Sequence, residues 1–116
     1  MKLYQYPKCS TCRKATKFLN DKSIEFTSID ITEQPPTIAE LNSMLASYDG
    51  EIKKLFNTSG VQYRELNMKE KLPDMSAEQA VKLLSTNGKL IKRPFLLNGE
   101  GQGVVGFKEA DWSEFI

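Results

Sequence analysis

Two cysteines, Cys9 and Cys12, stand in the segment Pro7-Lys8-Cys9-Ser10-Thr11-Cys12-Arg13-Lys14, and the 116 residues hold no other cysteine. A Cys-x-x-Cys pair can be a redox dithiol, half of a metal site, or two inert buried thiols. The complete absence of histidine bears on each of these. It removes the commonest general base and the Cys-His nucleophile pair, so thiol chemistry here has to draw its thiolate from local electrostatics. It also leaves a tetrahedral zinc site two strong donors short, and no metal is expected. Inert structural cysteines remain the alternative to redox chemistry.

The neighbouring elements decide how the pair would work. Lys2 to Tyr6 alternates polar and apolar residues and reads as a short strand that Pro7 stops. In Ser10–Lys22, Ala15, Phe18, Leu19 and Lys22 recur at three- and four-residue spacing without Gly or Pro, which predicts an amphipathic helix. The cysteines therefore fall where a strand hands over to a helix N-terminus. Free backbone N–H groups and the helix macrodipole favour an anion there, so Cys9 should ionise below the ~8.5 of a free thiol. Lys8, Arg13 and Lys14 add in the same direction. Cys12, one turn further on, is close enough to attack a mixed disulfide formed on Cys9. Cys9 is thus the expected nucleophile and Cys12 the resolving thiol, with Lys8, Ser10, Thr11 and Arg13 around them.

Further along, Ser23 to Ile31 has a period-2 pattern and predicts a second strand, so the chain opens as a βαβ unit. Gln34-Pro35-Pro36 breaks it. Thr37 with Glu40 has capping-box spacing and starts a helix carrying Ile38, Leu41, Met44 and Leu45, which Asp49-Gly50 ends. Glu51–Phe56 and Tyr63–Leu66 read as short helical pieces around the polar cluster Asn57-Thr58-Ser59-Gly60. Ser76 with Gln79 is a second capping box, opening a helix with Ala80, Val81, Leu83 and Leu84 that stops at Asn87-Gly88. Phe95-Leu96-Leu97, the turn Asn98-Gly99-Glu100-Gly101 and Gly103–Phe107 form a hairpin. Ala110, Trp112 and Phe115 suggest a closing helix. The whole predicts an α/β fold and a single domain over 1–116.

Composition excludes several function classes. Sixteen Lys plus Arg against fifteen Asp plus Glu leave a net charge of +1, without the basic excess that direct nucleic-acid binding requires. No apolar run approaches the ~20 residues of a bilayer span, and the first residues are too short and polar for a signal peptide. A cytoplasmic monomer without membrane attachment is expected.

The motifs Tyr6-Pro7-Lys8-Cys9-Ser10-Thr11-Cys12-Arg13-Lys14-Ala15, Phe56-Asn57-Thr58-Ser59-Gly60, Tyr63-Arg64-Glu65-Leu66-Asn67 and Ile91-Lys92-Arg93-Pro94 resemble the arsenate reductase (ArsC) family over nearly the whole chain. The pair of cysteines is similar to the Spx/MgsR and uncharacterised ArsC-like branch, whose switch is a Cys-x-x-Cys disulfide. The resemblance implies a thioredoxin-like fold (βαβ, helical insertion at about 36–88, ββα) with a four-stranded mixed sheet. It also implies a cis-proline at Pro94, with Arg93 lying over Cys9 to stabilise its thiolate, and a Cys9–Cys12 redox disulfide. Reducing equivalents would come from thioredoxin, or from glutaredoxin or a low-molecular-weight thiol, with no bound cofactor.

Two departures guide the choice of function. Arsenate reductases proper keep only the first cysteine, and two further arginines help hold their oxyanion. By alignment those arginines fall on Asn57 and Gly106, leaving Arg93 as the one strong cation, so efficient arsenate reduction is not expected. Asn57 could still donate neutral hydrogen bonds near Cys9. The competing function is that of an Spx-like redox-sensing transcriptional regulator docked on the RNA polymerase alpha subunit. Gly50 matches a glycine used in that docking, yet Asp49-Gly50 also serves as an ordinary helix stop. The branch's basic C-terminal tail has no counterpart in Trp112-Ser113-Glu114-Phe115-Ile116.

Overall fold

In the computed structural model, which describes residues 1–116, a four-stranded sheet separates two apolar layers. The strands are β1 (Lys2–Gln5), β2 (Thr27–Asp30), β3 (Phe95–Leu97) and β4 (Gly103–Val105), in the order β2-β1-β3-β4. β1 pairs parallel with β2 and antiparallel with β3, and β3 pairs antiparallel with β4. The sheet is therefore mixed and four-stranded, as the resemblance implied.

Side chains alternate across a strand, so β1 and β3 serve both layers. Leu3 and Leu96 point to one side, where they join Ala15, Phe18, Leu19 and Trp112. These come from helix α1 (Ser10–Asp21) and helix α6 (Glu109–Phe115), and the Trp112 indole N–H donates to the Gly106 carbonyl at 2.8 Å. Tyr4, Phe95 and Leu97 point to the other side, into the larger core under the helical insertion.

That insertion holds α2 (Ile38–Ser47), α3 (Val61–Glu65), α4 (Met68–Lys71) and α5 (Ala77–Thr86), with 3-10 turns at Ile52–Leu55, Leu72–Asp74 and Gly88–Leu90. Both capping boxes form. The Glu40 N–H donates to Thr37 Oγ1 at 3.1 Å while the Thr37 N–H donates to Glu40 Oε1 at 3.0 Å, and Ser76 and Gln79 repeat the exchange. Glu40 further accepts from Tyr4 Oη at 2.6 Å and Lys2 Nζ at 2.8 Å, pinning the start of α2 to β1. At the other end of α2, Ser47 Oγ and Tyr48 Oη accept the outward N–H groups of Gly103 and Val105. Two outward N–H groups on the free edge of β4 are thereby partnered by side chains.

Several sequence expectations need correction. The second strand begins at Thr27, because Ser23 takes a left-handed φ of 57° and the Ile24 N–H turns back to the Leu19 carbonyl. Ile24 and Phe26 owe their apolar character to packing on the α1 layer. Lys22 lies beyond the helix, exposed, with its Nζ 5.6 Å from the centre of the Phe18 ring. Ala110 is exposed as well, so Trp112 carries the burial of α6. Residues 67–75 form two helical turns that their polar sequence conceals, anchored through buried Met68 and Leu72.

Candidate functional site

Cys9 is the N-cap of α1, with extended dihedrals (φ −89°, ψ 119°). Its N–H donates to the Tyr6 carbonyl at 2.9 Å and its carbonyl accepts the Arg13 N–H at 3.1 Å. The tight Tyr6-Pro7-Lys8-Cys9 turn thus delivers the first thiol to the mouth of the helix, where unpaired N–H groups face it. Cys9 is half-buried, Cys12 is fully buried, and both are free thiols. The Tyr6 N–H donates to Cys12 Sγ at 3.4 Å.

The two thiols are driven apart in acidity. Burial disfavours the Cys9 anion, but the Cys12 N–H, the Cys12 thiol and the Arg93 guanidinium outweigh it and hold Cys9 below its ordinary value. Burial pushes the Cys12 thiol up to about 12; the Tyr6 N–H works against this rise and the neighbouring Cys9 anion adds to it. Lys8 and Arg13, expected to stabilise the Cys9 anion, are exposed and are not among the groups that shift it.

Cys9 opens into a cleft of about 520 Å³. Of the expected site residues, Thr11, Asn57 and Arg93 share its lining, while Lys8, Ser10, Arg13 and Pro94 do not. Pro94 is buried, and the Arg93–Pro94 peptide is cis, as the resemblance implied. Four residues missed by sequence reasoning add charge to the lining: Lys54, Lys92 and Lys108, opposed by Asp111. Tyr48, Val105 and Phe107 form its less polar wall. Arg93 is therefore not the lone cation of this cleft. Of these positions only Lys92, adjacent to Arg93, carried any signal in the sequence.

Gly106 also lines the cleft, at φ +67°, and a Cβ built on it would come 3.2 Å from Lys92 Cε. The stem of Lys92 thus occupies the space into which a side chain at position 106 would project. A larger cleft of about 720 Å³ lies alongside, sharing Lys54 and Lys92 but containing neither thiol. No helix is long and apolar enough to cross a membrane.

Comparison with known proteins agrees with this architecture. The profile described as "ArsC family" matches residues 4–115. The uncharacterized protein YusI of Bacillus subtilis is 50% identical over 111 residues, covering 96% of this chain and 93% of that protein. A crystal structure of a protein related to the ArsC family from Bacteroides fragilis superposes with a TM-score of 0.91 at 44% identity, over 99% of this chain and 96% of that one. The global transcriptional regulator Spx of Enterococcus faecalis is 29% identical over 114 residues, covering 98% of this chain and 84% of that protein.

Proposed function

This chain belongs to the ArsC family, and from the geometry of its cysteine pair we propose that it is a thiol-disulfide redox protein in which Cys9 attacks and Cys12 resolves. The carrying observation is the placement of an acidified, half-buried Cys9 at a helix N-terminus over a buried, proton-holding Cys12. In the reductive direction the Cys9 thiolate attacks a substrate disulfide, forming a Cys9–substrate mixed disulfide and releasing one substrate thiolate. Cys12 then passes its proton to the departing substrate thiolate and attacks the Cys9 sulfur, releasing the second thiolate. The dithiol has lost two electrons and the substrate has gained them. Conversion of Cys9 to a mixed disulfide removes the negative charge that helped suppress Cys12 ionisation, so the first step prepares the second.

Arg93 stabilises the Cys9 anion in this scheme, and Thr11 and Asn57 supply neutral donors beside it. Thioredoxin, or glutaredoxin or a low-molecular-weight thiol, returns the disulfide to the dithiol in the cytoplasm. A Cys12→Ser variant should accumulate substrates as mixed disulfides on Cys9 that dithiothreitol releases, and thioredoxin should readily reduce the wild-type Cys9–Cys12 disulfide. Absence of a Cys9–Cys12 disulfide in oxidised protein, by peptide mapping, would overturn this function.

Two other functions compete. Similarity to the global transcriptional regulator Spx supports a regulator, for which the family resemblance implies redox sensing while docked on the RNA polymerase alpha subunit. Gly50, the residue that would speak for docking, has φ +82° and sits in the chain reversal after α2, so its local conformation already accounts for glycine there. Co-purification with the alpha subunit in one redox state only would favour the regulator. Arsenate reduction is the remaining candidate. Lys54, Lys92 and Lys108 raise the positive potential of the cleft, but an ammonium on a flexible stem does not reproduce the rigid bidentate fork of arginine. With thioredoxin, glutaredoxin and their reductants supplied, arsenate-dependent NADPH oxidation should stay near background. Robust turnover at micromolar arsenate would promote the reductase to first place.

A further inference from the structure

Arg93 lacks the partner that usually fixes a guanidinium. The ion pairs of the structure are Lys2–Glu40 and Lys17–Asp21, and neither involves Arg93. Its guanidinium instead lies over the Tyr6 ring, with Cζ 4.7 Å from the ring centre. Arg93 lines the Cys9 cleft on one side, and on the other a second cleft whose lining includes Tyr6 and Asn57. An arginine has several rotatable bonds and, unsupported, would spend its time hydrated in either space. The face of an aromatic ring attracts a cation and favours the stacked orientation.

We propose that Tyr6 is a positioning residue, whose ring holds the Arg93 guanidinium at the Cys9 thiol while its backbone N–H fixes the Cys12 sulfur. One residue, three positions before Cys9, then sets a neighbour of each sulfur. The side chain and the backbone of Tyr6 have separable roles, because substitution removes the ring and keeps the N–H. This inference rests on the proposed thiol chemistry for its purpose, but concerns only the reduced dithiol for its test.

The other charged groups facing Cys9 across the cleft are Lys54, Lys92 and Lys108 with Asp111. Substituting Tyr6 alters none of them, and Cys12, the other titratable group beside Cys9, keeps its contact with the Tyr6 N–H, so a change in Cys9 behaviour that disappears without Arg93 reports on Arg93. The measurement is the pH midpoint of Cys9 alkylation in fully reduced protein, followed by peptide mass spectrometry. Tyr6→Leu should raise the midpoint by about half a pH unit, the size expected for loss of a partly exposed cation–aromatic contact. Tyr6→Phe keeps the ring and should restore the wild-type midpoint to within roughly 0.2 pH. In an Arg93→Ala background, Tyr6→Leu should have no further effect, since the group it positions is gone.

If Tyr6→Leu fails to fold by circular dichroism, Tyr6→Met fills similar space without an aromatic face and carries the same expectation. A change in Tyr6→Phe as large as in Tyr6→Leu would overturn the proposal by implicating the hydroxyl. So would equal changes with and without Arg93, or a wild-type midpoint in a folded Leu or Met variant. The thiol-disulfide function itself stands or falls separately, on the Cys9–Cys12 disulfide and its reduction by thioredoxin.

Discussion

Iodoacetamide at about pH 7.5 should label Cys9 at least ~30 times faster than Cys12 in the folded, reduced protein, and the difference should vanish in guanidinium. Burial, with the Cys9 anion beside it, pushes Cys12 up to about 12, while the Cys12 N–H and thiol with Arg93 overcome burial to hold Cys9 below its ordinary value. Cys9 therefore holds far more of its population as thiolate at neutral pH than Cys12 does. The more basic thiolate is intrinsically the better nucleophile, with a Brønsted slope of ~0.4–0.5, which returns to Cys12 up to about half of that advantage on a logarithmic scale. The complete burial of Cys12 then slows its labelling further. The pH profile follows the same signs. Cys9 labelling should rise with pH and level off below the range of an ordinary thiol, whereas Cys12 labelling should still be rising when the protein begins to denature in alkali. Arg93→Ala should move the Cys9 profile to higher pH. Equal labelling of both thiols in the folded state, or faster labelling of Cys12, would exchange the roles assigned to them.

Gly88→Ala should be the most damaging single-methyl change, costing about 3 kcal/mol or more and lowering the melting temperature by more than ~10 °C. A Cβ on Gly88 would lie 1.7 Å from the Ile31 carbonyl oxygen and 2.7 Å from its carbon, and both belong to backbone that no rotamer change can move. The site feels this contact through the chain. Gly88 opens the 3-10 turn Gly88–Leu90, whose Leu90 carbonyl accepts the Asn57 N–H at 2.8 Å. Two residues on, the Lys92 N–H donates to the Leu55 carbonyl at 2.7 Å. These bonds hold together the segments that bring Asn57, Lys92 and Arg93 to the cleft. A folded Gly88→Ala protein should therefore also lose part of its Cys9 acidity. Equilibrium urea unfolding alongside the alkylation profile would test both effects. By contrast Gly99→Ala, at a position where an added Cβ meets nothing within 4 Å, should change stability little. A Gly88→Ala variant as stable as wild type would refute the close approach of these backbones.

The part of this protein written in neighbouring residues is legible from the chain alone. The period of Ala15, Phe18 and Leu19 specifies the buried stripe of α1, and Pro7 ends the strand before it. Hydrogen-bonding side chains three residues apart, Thr37 with Glu40 and Ser76 with Gln79, mark the starts of α2 and α5. Because Cys9 caps, and Cys12 lies in the first turn of, a legible helix that follows a legible strand, their place at a helix N-terminus could be read directly. Helix and strand signals of this kind depend on interactions within a few residues, and such interactions survive without knowledge of the rest of the chain. Residues 67–75 defeated the same reasoning because Pro73 interrupts the helical spacing of Met68, Leu72 and Met75 among charged neighbours.

The surroundings of the thiol depend instead on segments far apart in the chain. Lys54, Lys92 and Lys108 come to one cleft from the insertion, from the approach to β3 and from the approach to α6, and nothing in their separate neighbourhoods marks them as partners. The acidity of Cys9 was expected from Lys8 and Arg13, which are adjacent in sequence but exposed; Arg93, eighty-four positions away, is among the groups that lower it instead. A chain position states which residue is near along the backbone, whereas a thiolate responds to distance through space and to how much water has been excluded. That distance is set when the insertion packs on the sheet and the Tyr6 ring receives the Arg93 guanidinium, events that depend on the whole fold at once.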